Sequence, residues 1–267
     1  MAATKSEIDY RELRQAALAA MILEQQQEER DLARGVETQL TDDEQKENSH
    51  KIREATTSTY TWLTKYTKTF NPHWKDQGLE SPYMPFPAWP HFPVMLELLE
   101  DESNSDPIFI EKSRTMMVTW GIMGYFTLQA MKVPEREIVV QTMTSDKGEL
   151  PIDYAKCLWL SQPEWLRKAF PVKRSSQYQE DLKAVESQPA NEFRLQNGSV
   201  IFGIPAGAGK IRSYHPWGYF NDETAFQAEA GTAYDEALSA AKKIVLNSTA
   251  AASWFFDMTN DADMNQG

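Results

Sequence analysis

From about residue 94 onward the chain reads as an α/β domain built on a mainly parallel sheet. Three observations predict it. Short apolar runs at 107–111, 137–142, 217–221 and 243–247 are spaced like strands, helix-like segments separate them, and Asn197-Gly198 marks a tight hairpin in their midst.

Taken in order, Pro107-Ile108-Phe109-Ile110-Glu111 is too short and too apolar for anything but a buried strand. Residues 117–131 are apolar nearly all round, and Glu137 to Thr142 forms the next strand. Ile152 to Leu160 and Glu164 to Phe170 read as helices. Phe193 to Leu195 and Ser199 to Gly203 flank the hairpin. Trp217 to Asn221 and Lys243 to Asn247 are strands separated by a helix over about 232–241.

Two segments precede this core. Residues 1–55 are rich in Ala, Leu, Glu, Gln and Arg and form a helical appendage, interrupted near Gly35. Leu13, Ala16, Ala17, Ala20 and Met21 fall on one stripe, and Thr41 caps the start of a later helix. Residues 56–93 form a connector rich in aromatics, where prolines 82, 85, 87, 90 and 93 disfavour regular helix or central strand. Its Trp62, Trp74, Tyr83, Phe86, Trp89 and Phe92 are expected chiefly to pack, although such rings can also form a wall for a flat ligand. Residues 94–267 are the core.

The 267 residues suffice for a large domain with an appendage, or two small ones. The single cysteine, Cys157, excludes an internal disulfide framework and is expected in the core. No basic-then-apolar leader opens the chain, and 116–131 is short and polar-interrupted for a bilayer, so a soluble protein without a membrane role is expected. A net charge of -12 argues against a general nucleic-acid coat, so any DNA contact must be local or collective.

Chemistry concentrates after two strands. Lys112-Ser113-Arg114-Thr115-Met116-Met117-Val118-Thr119 turns a strand into the apolar helix, and such a turn presents backbone N–H groups to an anion. It departs from GxxxxGK[ST], since Lys112 and Met117 replace the glycines and Val118 the lysine. Lys112 can supply the ammonium from the other end, and Thr119 keeps the hydroxyl for Mg²⁺. After the strand at 217–221 come Asp222 and Glu223, one suited to hold Mg²⁺ and the other to polarise a water. The glycine-rich 203–210 lacks the right spacing for phosphate. It reads as a mobile loop carrying Lys210 and Arg212 outward.

The run Asn197 to Gly203, Ile211-Arg212-Ser213-Tyr214, Phe220-Asn221-Asp222-Glu223 and Leu246-Asn247-Ser248-Thr249-Ala250 resembles the ATPase domain of phage large terminases, as does the early loop lysine. The resemblance implies a RecA-like core of the P-loop class that binds ATP and Mg²⁺ and hydrolyses ATP to translocate double-stranded DNA into a capsid. It implies that Arg212 acts on a neighbouring subunit's ATP, that Ser248 and Thr249 sense the γ-phosphate, and that Arg114 is the loop arginine. The family's adenine-reading glutamine is absent in letter, and His91 stands about where it would be. Implied partners are the portal and capsid, the small terminase subunit and further copies in a homo-oligomeric ring, in the host cell cytoplasm. The family's nuclease needs an acidic cluster in a later domain, so cleavage is not expected of this chain. Two alternatives stay open, a helicase-like ATPase of the same core and a non-hydrolysing assembly module.

Overall fold

The computed structural model describes residues 42–71, 74–143, 145–175, 177, 180–207 and 209–260. The expected appendage helix before residue 42 and its Thr41 cap lie outside these. The described part opens with α1 (Asp42–Ala55) and α2 (Thr59–Tyr66). Ser58 caps α2 by accepting the N–H of Thr61 at 3.2 Å. A short antiparallel ribbon follows, β1 (Lys68–Phe70) with β2 (Tyr83–Pro85), and then α3 (His91–Glu100).

That helix corrects the reading of the proline-rich connector. Pro90 occupies the N-cap position and Pro93 lies in the first turn, where no N–H is needed for the ladder, so these prolines start a helix. The connector's Trp62, Phe86 and Phe92 are buried in the main core, whereas Trp89 is 39% exposed.

The core elements are β3 (Ile108–Lys112), α4 (Val118–Lys132), β4 (Glu137–Thr142), α5 (Ser145–Ser161), α6 (Glu164–Ala169), α7 (Asp181–Glu186), β5 (Glu192–Arg194), β6 (Val200–Pro205), β7 (Gly218–Asp222), α8 (Ala230–Ala240), β8 (Lys243–Thr249) and α9 (Trp254–Asn260). The strands form a six-stranded sheet ordered β3-β8-β7-β4-β6-β5, parallel except for β5 at its edge. Strand alternation feeds two cores. Ile138 and Val140 enter the larger, and Val139, Tyr219 and Leu246 enter the smaller on the opposite face.

The hairpin turn falls one residue earlier than the Asn197-Gly198 signal. Gly198 N–H donates to Leu195 O at 3.3 Å and Leu195 N–H to Ser199 O at 2.9 Å, so Gln196 and Asn197 form the turn. Gly198 takes the left-handed position after it at φ +90°, which a Cβ would strain. Asn197 Nδ2 also donates to Ala130 O and Met131 O at 2.8 and 3.2 Å, tying the turn to the end of α4.

Helix α4 is buried along almost its whole length. A Cβ at Gly121 would stand 2.6 Å from Met95, and one at Gly124 would stand 2.7 Å from Leu63. These bare turns let α2 and α3 close onto α4. Cys157 is buried, and among the described residues no helix is long and apolar enough to cross a membrane.

Candidate active site

In a parallel sheet the carboxyl ends of the strands share one edge, and here β8 lies between β3 and β7. Register places Lys112 opposite Thr249 and Asp222 opposite Asn247. Residues far apart in the sequence, from Lys112 to Thr249, therefore converge through strand pairing.

Glu223 is the hub. Its Oε1 accepts from Lys112 Nζ at 2.7 Å, with the lysine side chain 10% exposed and the glutamate 35%. Its Oε2 accepts from the Thr249 hydroxyl at 3.2 Å, the Thr249 N–H at 3.3 Å and the Ser248 hydroxyl at 3.5 Å. The backbone at Glu223 is left-handed, with φ 54°, which turns its side chain away from the line of β7. Asp222, one residue earlier, accepts from the Thr119 hydroxyl at 3.1 Å, so Thr119 from the first turn of α4 meets the strand end.

The two carboxylates have opposite electrostatics. Burial, helped by the charge of Glu223, raises the Asp222 carboxyl to about 6 against the opposing pull of Lys112 and Thr119. Burial also pushes Glu223 up, but the hydrogen bond and charge of Lys112 and the donors of Thr249 outweigh it, and the carboxyl lies below its ordinary value. An acid raised by burial and set beside a threonine hydroxyl gains most from a divalent cation. Mg²⁺ takes hard oxygens, keeps several waters and needs few protein ligands, so the Asp222 and Thr119 pair fits it.

The loop between β3 and α4 has Thr115 at φ 66° and Met117 at φ 53°, left-handed positions filled without glycine. Alternating left- and right-handed residues form the concave backbone that binds anions. Ser113 and Arg114 lie exposed in this loop. From it a cleft of about 980 Å³ runs past Thr119 between Trp89, Trp120 and Tyr154 to Phe70, Asn71, Gln77 and Met84. Trp120 and Tyr154 stack at 4.0 Å between ring centroids.

His91 and Arg212 sit outside this cluster. His91 Nε2 lies 3.1 Å from the Met116 carbonyl, which can only accept, so this nitrogen carries the proton and braces the loop. Arg212 lies on a 3-10 turn (Ile211–Ser213) after β6, with a side chain 72% exposed and an ion pair to Glu236 at 2.8 Å. Sequence reasoning gave Asn247 no role. Fully buried on β8, it accepts the Glu223 N–H at 3.3 Å and donates to the Thr119 hydroxyl at 3.4 Å, bridging both carboxylate positions. A lone amide following Ile244-Val245-Leu246 was the available signal. It missed the Asn71 and Gln77 edge of the cleft as well, which comes from the connector.

No protein-family model matches the chain, and no curated protein matches it in sequence. Solved structures do match. The HK97 bacteriophage large terminase superposes with a TM-score of 0.54 at 13% identity, covering 78% of this chain and 42% of that one. The ATPase domain of the Thermus phage P74-26 large terminase, in a point-mutant form, matches at TM-score 0.43 and 9% identity over 65% and 70% of the two chains. The large terminase of a further, thermophilic bacteriophage matches at TM-score 0.43 and 15% identity over 66% and 44%. This chain thus spans less than half the length of the HK97 protein, and over that span it has the same RecA-like α/β fold.

Proposed function

We propose that the chain is the ATP-hydrolysing motor domain of a large terminase, using Mg²⁺-dependent hydrolysis to drive double-stranded DNA into a capsid. The observation that carries this is the meeting of Lys112, Thr119, Asp222, Glu223, Ser248 and Thr249 at the ends of three adjacent parallel strands, beside a strand-to-helix loop with left-handed Thr115 and Met117. In this reading the backbone of 113–118, with Ser113 and Arg114, cradles the β- and γ-phosphates. Lys112 leaves Glu223 for the phosphates, because a polyanion outbids a single carboxylate for its ammonium. Asp222 and Thr119 hold the cation, which neutralises charge gathering on the phosphoryl oxygens.

Glu223, freed from Lys112 but still held by Thr249, orients a water and accepts its proton as the water oxygen bonds to the γ-phosphorus and the bond to the β-phosphate oxygen breaks. Ser248 and Thr249 then register the departure of phosphate through that carboxylate. The adenine lies along the cleft against Trp89, and His91 braces the loop beneath it. Arg212 serves the site of an adjoining subunit. The portal, the small terminase subunit and a ring of identical chains complete the machine, in the host cell cytoplasm.

The test is Glu223→Gln. Nucleotide binding should persist while the hydrolysis rate falls by about 10² to 10⁴. A wild-type rate in this variant would sink the reading.

A further inference from the structure

The buried face of α8 is made of Ala230, Ala233 and Ala237, with one charged interruption, Glu236. Its side chain is 7% exposed. A carboxylate on an alanine stripe is costly to bury and persists only with partners. Among the described residues, both partners of its carboxylate come from the loop after β6. Oε2 accepts the Gly209 N–H at 2.7 Å, and Oε1, which makes no hydrogen bond among the described residues, lies 2.8 Å from Arg212 Nε. The same loop is pinned by Ile211, buried in the smaller core, and by Tyr214 against Phe202 at 4.8 Å between ring centroids. Gly209 at φ +78° gives the bend that delivers its N–H to Glu236.

A guanidinium approached at Nε keeps both terminal nitrogens for something else. In Arg212 these carry no hydrogen bond among the described residues, and the side chain stands 72% exposed.

We propose that Glu236 is a positioning residue for Arg212: it fixes the loop through Gly209 and tethers the guanidinium by its Nε side, so that the terminal nitrogens project toward an adjoining subunit's phosphates. This rests on the reading of Arg212 given above. Glu236→Gln separates the two functions of the carboxylate, since the amide oxygen still accepts from Gly209 while the charge that tethers Arg212 is gone.

The experiment measures ATP hydrolysis per subunit over concentrations at which sedimentation shows self-association. It compares wild type, R212A, E236Q, E236D and the double variant R212A/E236Q. E236Q should lower kcat about tenfold with KM little changed, well inside the roughly 10²-fold that a 1 Å misplacement can cost. E236D should recover part of that loss, and the double variant should be no slower than R212A alone. A further loss in the double variant, a loss confined to KM, or faster hydrolysis by E236Q would each overturn the inference. Loss in R212A without loss in E236Q would overturn it alone, whereas a wild-type rate in R212A would remove the arginine's own role and the inference with it.

Discussion

Lys112 stands where the usual phosphate-loop pattern has its first glycine, yet its ammonium reaches the carboxyl edge of the sheet and grips Glu223. Val118, at the usual lysine position, is buried in the main core. Lys112→Ala should therefore raise the nucleotide dissociation constant at least tenfold or abolish hydrolysis. Val118→Ala should cost only about 1 to 2 kcal/mol of stability from lost packing, and paired titration and denaturation curves would expose the reverse ranking. Asp222 supplies a pH dependence. Its folded carboxyl is raised to about 6 from an ordinary 3.8, so the empty folded protein holds a proton there that the unfolded chain releases, and this group's contribution to stability falls as pH rises through that window. A cation needs the carboxylate and must expel the proton below about pH 6. The rise in melting temperature given by Mg²⁺ and a non-hydrolysable ATP analogue should thus shrink markedly between about pH 7.5 and about pH 5, and an unchanged rise would count against Asp222 as the ligand.

At the scale of elements, the loop from β3 to α4 holds exposed Thr115 in the left-handed region, where a side chain costs about 1 to 2 kcal/mol that glycine avoids. Thr115→Gly should raise stability by about 0.5 to 1 kcal/mol in chemical denaturation after its unfolded-state entropy is counted, and a loss would mean the threonine makes compensating contacts. The strands were legible because parallel strands buried on both faces read as apolar runs, and the residues following them could be assigned to one edge. Lys112, Thr119, Asp222 and Glu223 were legible for the same reason, whereas Ser248 and Thr249 were singled out only through the resemblance to large terminases. Helices α3 and α7 and the β1–β2 ribbon were not. Their stability comes from packing onto α4 and α5 and from prolines whose meaning depends on position within a turn. Asn247 was hidden likewise, because its partners come from two distant segments.

For the molecule as a whole, one buried ion cluster joins the segments behind α5. Arg167, 1% exposed, pairs with Asp181 at 2.8 Å and donates to the carbonyls of Leu160 and Gln162, while Arg174 shares the same carboxylate at 2.5 Å. Asp181→Ala would remove a carboxylate that pairs with a buried guanidinium and should cost about 3 kcal/mol in urea denaturation. Association belongs at this scale too. Arg212 follows β6, three strand intervals of about 4.8 Å from β8, on the same edge as the carboxylates. Mixing R212A with E223Q should regain part of the activity that neither has alone, and no recovery under demonstrated assembly would place the arginine in its own subunit or leave it only a surface DNA contact. The Lys112–Glu223 ion pair carries a last consequence for the resting protein. By occupying the ammonium that nucleotide needs, Glu223 acts as a tethered competitive inhibitor, and every measured affinity is net of displacing it. If the proposed function holds, Glu223→Gln should bind nucleotide more tightly than the wild type, and the empty site would be self-capped and would release product partly by taking back its own lysine.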